Sequence, residues 1–540
     1  MNYLSGGNAD LAHLYPLSSA KAHFMAGMLH GGRYLFILDG LEVLQHQEGD
    51  QFGLLKNNDL REFLQFFAAP DHSSFCIVTS RVLLEDMMEY TTYQHRDVER
   101  LSAADGRLLL HKLGVEGTEA DLDKVVARWD GYALALSILA SYLNEHYSGN
   151  VRKIETIQQH MVIEGRYGRI YQILSYYDDQ LDERERVFLK LFSVFRMPQD
   201  KDTIAHVFRQ KQKKMPGIFG RILGYKSTAI DVKAINASLI SLDDAAFDAI
   251  LDHLIYCRML RHDSQPNKYG IHPLIRAHYY SLLVKEDHGQ IQEFHRQIKR
   301  HYKKTVTNRT LHPQSLEDLK PLIEVFHHAC QAGDYDEAYM IYDIHINRSQ
   351  ECYLKFKLGA WETEFEIMKE LFPDSDISKD PAVSSPRDKS VILNGIGLCL
   401  MNLGRLNEAE EGQFYMRAKD IALNITKRIN NASIAYQNMA RLYAYLGKLD
   451  KSTEAADHAL SLAHAAKDTN EEVNSLAYLA WSYHLRGDLI VAGETFRDAE
   501  ALWQQRRVSH FLHSYHGNQH ANHLNRISDA GYARMVKEKT

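Results

Sequence analysis

The sequence predicts a mostly helical chain. It opens with part of an α/β core built on a parallel sheet, continues through helical and winged-helix domains, and ends as an all-α solenoid of helix-turn-helix repeats. Three observations carry this reading. Residues 33 to 115 alternate short apolar runs with helical stretches, the spacing of βαβ units. From about residue 118 the strand signal gives way to helical periodicity. From residue 320 onward, helical segments align on Gly404, Gly447 and Gly487, which lie 43 and 40 residues apart.

Composition bounds the function. At 540 residues the chain exceeds what one hydrophobic core organises, so several domains are expected. Apolar residues make up 45% and charged residues 25%, as in ordinary globular protein. A net charge of −7 and a pI of about 6.5 give no whole-chain attraction to nucleic acid or an anionic membrane, so neither is expected as a partner. The five cysteines, Cys76, Cys257, Cys330, Cys352 and Cys399, are far apart, odd in number and form no CxxC. That pattern fits a reducing compartment rather than a disulfide framework or a zinc site. The longest strongly apolar run, "YALALSILASYL" from Tyr132 to Leu143, is too short to span a bilayer, and no signal sequence opens the chain. The expectation is a soluble, cytoplasmic protein.

The core, residues 1–115, reads as "YLFIL", "NDLREFLQFFAA", "SFCIVTSR" and "DVERL", followed by a helix in "SAADGRLLLHKLGV" that Ser102 caps, with Asp105 three residues on, and Gly114 stops. Residues 116–166 form a helical subdomain. Residues 167–288 read as helix, loop, helix, then a short strand pair around "RMLRHDSQPNKYGIHP", the order of a winged helix. Residues 289–385 are a helical linker with an isolated repeat-like unit around Gly333, residues 386–505 hold the repeats, and 506–540 a last helix and tail. In the last repeat Ala480, Tyr483, Gly487, Ala492, Phe496 and Ala499 fall where tetratricopeptide repeats place small and aromatic residues. Such units stack because none buries its apolar face alone, and the stack offers a concave surface for a protein partner or a sensed ligand.

Several residues could carry chemistry. In "LFILDGLE" an apolar run, read as a buried strand, delivers Asp39 to the mouth of a parallel sheet, where ligands bind, with Glu42 three residues on to orient water. The bland alternative is a strand-to-helix turn with solvated acids. "FCIVTSR" ends in Thr79, Ser80 and Arg81, and a parallel neighbour would set them beside Asp39; Arg81 could equally cap a surface turn. His272 in "IHPLIRAHYY" opens a helix, where it could meet a diphosphate or simply cap. His510, His513, His516, His520 and His523 share one helical face, read as packing rather than metal binding. No GxxxxGK[ST] occurs. The nearest string, "GRILGYKST" from Gly220 to Thr228, has Tyr225 between the glycine and Lys226 and reads as a surface loop.

Taken in order, these motifs resemble the signal-transduction ATPases with numerous domains, the STAND class, specifically bacterial members with an NB-ARC-like P-loop NTPase core and C-terminal tetratricopeptide repeats. "YLFILDGLE" is similar to their Walker B strand, "CIVTSR" to their sensor strand, "WDGYALALSILASYL" to their "GLPLAL" segment, and "IHPLIRAHY" to the winged-helix motif whose histidine reads ADP. "FLHSYHGNQHANHL" resembles a helix that follows the repeats. The resemblance implies ATP/ADP and Mg²⁺ as cofactors, Asp39 and Glu42 as catalytic residues, and Mg²⁺ held by Asp39 through water. It also implies Asp39, Thr79, Arg81, Ala133 and His272 as nucleotide contacts. The implied function is a signalling or defence switch that exchanges nucleotide when the repeats sense a ligand and then assembles as a homo-oligomer.

Residues 1 to 38 offer neither the strand nor the lysine of the family's Walker A loop, so the chain reads as the distal part of a longer protein, with weak or absent ATP hydrolysis and an exposed sheet edge. The competing expectation is a non-enzymatic scaffold whose repeats bind a protein. A transcription regulator ranks below both, because the winged helix is embedded rather than terminal.

Overall fold

The computed structural model describes residues 18–30, 32–46, 52–56, 58–80, 82–96, 98, 100–156, 168–210, 234–307, 310, 313–349, 352–505, 512 and 514–527. The chain divides into two units. The first joins residues up to His95 to the stretches Thr307–Cys330 and Asp334–Thr540; the second is Arg96–Val306 with Gln331–Gly333. Among the described residues no helix is long and apolar enough to cross a membrane, and all five cysteines are free thiols.

The first unit opens with α1 (Ser18–Leu29), β1 (Leu35–Leu38), α2 (Asn58–Ala68) and β2 (Phe75–Val78). The strands pair in parallel, Leu35 opposite Phe75 and Leu38 opposite Val78. One face packs: Phe36 meets Phe63 and Phe67 of α2 at ring separations of 5.8 and 5.4 Å, while Leu38, Cys76 and Val78 cover a cluster of Leu41, Leu55, Leu64, Leu84 and Met87. The other face is open. Leu35, Ile37, Phe75 and Ile77 remain 60, 63, 64 and 43% exposed. This corrects the expectation of a buried strand: the four-residue runs are apolar on both faces, as in a sheet covered twice, but the described residues cover only one. It corrects the extent of the sheet as well, which among the described residues has two strands. The described residues of "DVERL" form no third strand: Val98 is fully exposed and the Leu101 amide bonds to the Gly131 carbonyl at 2.8 Å.

The second unit contains α3 (Ala103–Lys112), α4 (Glu119–Arg128), α5 (Ala133–Tyr147), α6 (Gly168–Gln180), α7 (Glu183–Phe192), α8 (Lys201–Phe208) and α9 (Asp244–Tyr256). An antiparallel hairpin of β3 (Arg261–Ser264) and β4 (Asn267–Gly270) follows, then α10 (Pro273–Leu283) and α11 (His288–Thr305). Ser102 accepts from the Asp105 amide to cap α3, and Gly114 beyond its end adopts φ +84°. Phe188, Phe192, Phe208, Phe247 and Phe294 lie in one continuous core with the buried face of α5.

The first unit resumes with α12 (Leu316–Gln331), α13 (Tyr335–Ile341) and α14 (Trp361–Lys369). Helix pairs follow: α15 (Pro386–Asn402) with α16 (Leu406–Glu411) and α17 (Phe414–Asp420), α18 (Ile429–Tyr445) with α19 (Leu449–Ala466), and α20 (Thr469–Arg486) with α21 (Leu489–Gln505). The aligned glycines make the turns inside these pairs: Gly404, Gly447 and Gly487 have φ of +76°, +71° and +95°, a region that residues with a Cβ adopt at a cost. Ala440, Ala459, Ala480 and Ala499 are buried where helices touch, and Phe496 fills between them. Buried serines tie the layers: Ser390 donates to the Ala418 carbonyl at 3.0 Å and Ser433, 43 residues on, to that of Ala459 at 2.8 Å. The last helix, α22 (Ser514–Arg526), packs on α20 and α21.

Candidate functional site

The parallel register sets the carboxyl ends of β1 and β2 side by side, so Asp39 and Thr79 meet. The Thr79 hydroxyl donates to Asp39 Oδ1 and accepts from the Gly40 amide at 2.9 Å. The ladder continues one step past the strands, with the Thr79 amide on the Leu38 carbonyl and the Leu41 amide on the Thr79 carbonyl, both 2.9 Å. Gly40 turns the chain at φ +74° into a short 3₁₀ segment, Leu41–Leu44, which carries Glu42 in its first turn. Asp39 and Thr79 are exposed, and among the described residues no cation pairs with Asp39.

A buried glutamine organises this loop, and sequence reading missed it because a lone Gln carries no spacing signal. Gln45 donates to the carbonyls of Gly53 at 2.8 Å and Leu83 at 2.9 Å and accepts from the Ser80 hydroxyl. Ser80 is thereby committed to the loop. Arg81 and the string "GRILGYKST" lie outside the described residues.

Ala133 and His272 fall in the second unit. Ala133 is the exposed first residue of α5. His272 is exposed and caps α10, its Nδ1 accepting from the Leu274 amide at 3.2 Å, with Pro273 at the first helical position. The capping alternative therefore describes its side chain as it stands.

Of the histidine row, His510 and His513 lie outside the described residues. The other three pack, as the sequence reading had it. His520 stacks on Phe496 with ring centres 4.7 Å apart and bonds Glu500 at 2.9 Å; His516 meets the Tyr478 ring edge-on at 4.7 Å; His523 Nδ1 lies in hydrogen-bond contact with His484 Nδ1 at 3.1 Å. Burial, followed by the neighbouring His523 and then the charge of Arg526, holds His484 down to about 4, and burial holds His516 to about 4 as well.

Carboxylate and hydroxyl oxygens are the donors a hard divalent cation takes, so Asp39 and Thr79 fit the metal side of a magnesium-nucleotide site. The phosphate side has no match in the sequence, which contains no GxxxxGK[ST].

No family model matches the chain. An uncharacterized WD repeat-containing protein of Nostoc sp. is 28% identical over 178 residues, which are 32% of this chain. The matched region spans only 14% of that relative. Among solved structures, a Signal Transduction ATPase with Numerous Domains (STAND) protein with a tetratricopeptide repeat sensor, from Pyrococcus horikoshii, aligns with 99% of this chain and 73% of its own at 13% identity and a TM-score of 0.42. A Podosopora anserina protein of nearly identical TPR-like repeats covers 41% of this chain and 91% of its own, at 15% identity and a TM-score of 0.25.

Proposed function

We propose that this chain is a nucleotide-regulated signalling switch of the STAND type, with a magnesium-nucleotide site at the β1 and β2 strand ends and a helical-repeat array that receives a protein partner or ligand. The observation that carries the reading is the contact between Thr79 and Asp39 at the carboxyl ends of two parallel strands, where open α/β sheets bind ligands. Asp39 would hold Mg²⁺ through water, and Thr79 fixes the carboxylate's orientation. With no phosphate-loop lysine in the sequence, the chain binds nucleotide weakly and turns it over little or not at all.

The test is a melting experiment on the full chain with ATP or ADP, with and without Mg²⁺. The expected result is a rise in Tm that requires both metal and nucleotide and disappears in Asp39→Ala. No rise at nucleotide concentrations well above the cellular range would support the second reading, a scaffold that works through its repeats alone. That reading is favoured by one specific observation, the apolar face of the sheet that the described residues leave exposed.

A further inference from the structure

Three side chains of metal-ligating type meet in the second unit, His253 and Cys257 one helical turn apart and Glu145 108 residues before His253. Glu145 stands near the end of α5, His253 in the last turn of α9, and Cys257 one turn further on at the C-cap of α9. A His and a Cys four residues apart share one face of a helix. His253 Nε2 lies 2.9 Å from Glu145 Oε1 and 3.3 Å from Cys257 Sγ, and Sγ lies 3.6 Å from Glu145 Oε2.

From this geometry we propose that Glu145, His253 and Cys257 form a binding site for a zinc-class divalent cation.

The spacing fits such an ion. Zinc bonds of about 2.3 Å to sulfur and about 2.0–2.2 Å to nitrogen and oxygen, in a tetrahedron, separate the ligand atoms by about 3.3–3.7 Å; the His253–Cys257 separation already falls there, and one ligand atom from each of the three side chains lies within 4.8 Å of the other two. The charges fit as well: one carboxylate and one thiolate neutralise a divalent ion, with imidazole as the neutral third ligand. The Glu145 and His253 side chains are 24 and 32% exposed, which leaves the cluster accessible to an ion, while Cys257 is fully buried.

The surroundings orient each ligand. His253 Nδ1 bonds Glu185 of α7, the carboxylate–histidine arrangement that turns the other ring nitrogen toward a metal. The Tyr177 hydroxyl donates to Glu145 Oε2 at 2.9 Å, and His146 Nε2 stands 3.8 Å from Glu145 Oε1. Cys, His and Glu in line could also suggest a nucleophile. Against that, Cys257 is fully buried with its sulfur 3.6 Å from the Glu145 carboxylate, whereas reactive cysteines sit partly exposed in electropositive surroundings.

The test is a titration of Co²⁺ into the full-length reduced chain, read by the sulfur-to-cobalt charge-transfer absorption and reversed with Zn²⁺. Expected are saturation at a single Co²⁺, loss of the band in Cys257→Ser, and at least tenfold weaker binding in Glu145→Gln. Glu185→Gln, a positioning change, should keep the band at saturation while weakening binding about 10–100-fold. Absence of the band in the unmodified chain overturns the proposal, and so does its survival in a folded Cys257→Ser. Should that variant not fold, unchanged affinity in Glu145→Gln, altered near the surface, overturns it equally. In either case the cluster is an ion-paired staple of α5, α7 and α9.

Discussion

The sheet fragment and the repeat array, two parts of the first unit, treat apolar surface in opposite ways. In the array each helix pair covers its neighbour, so Ala459, Ala480, Phe496 and Ala499 are fully buried. In the fragment, four apolar residues on one face of β1 and β2 stay open. The difference follows from contact range: repeats bury surface against sequence neighbours, whereas a parallel sheet depends on elements brought from far along a chain. Repeats can therefore be self-sufficient where a two-stranded parallel sheet cannot.

That contrast can be broken by mutation. The largest effect is expected for Phe496→Ala, which empties the space between α20, α21 and α22 and should cost about 3–5 kcal/mol in denaturant unfolding. Its counterpart, Ile37→Lys on the open face, should change stability by no more than about 0.5 kcal/mol while reducing aggregation in light scattering. A large loss there would mean that the face is packed after all. Next in size is Gly447→Ala. A Cβ there meets nothing within 4 Å, so its cost of about 1–2 kcal/mol in thermal unfolding would come from the left-handed backbone alone.

Acidification should act on the end of the array. Folding depresses the pKa of His484 and His516, so the stability they lend is complete above the unfolded imidazole value of about 6.5 and is lost as pH falls through about 4. Hydrogen exchange across that window should show α22 loosening, with His520–Glu500 and Arg526 facing the same interface. Constant protection of α22 down to pH 4 would contradict the assignment. A small effect is also expected for Thr79→Val, which removes the donor to Asp39 at an exposed site and should cost about 1 kcal/mol or less in unfolding.

Legibility in the sequence followed the same divide. Gly404, Gly447 and Gly487 announced the turns because a backbone region that disfavours other residues marks the sequence directly. Asp39 and Thr79 were legible as neighbours because parallel pairing of two apolar runs fixes where their ends meet. The open face was not, since a run of four apolar residues reads the same whether or not a second layer covers it. "DVERL" misled because a Val and a Leu in a short polar run imitate a strand, whereas Val98 is fully exposed. The Glu145–His253 contact joins residues 108 apart through the packing of α5 on its neighbours, which leaves no spacing to find.

The most direct test of the switch reading is hydrogen exchange of the full chain with and without Mg²⁺–ADP, compared region by region. Nucleotide binding at the strand ends should give new protection at residues 38–46 and 75–80, lost in Asp39→Ala, together with unchanged protection in α18 and α19. Equal exchange at the strand ends with and without nucleotide would contradict it.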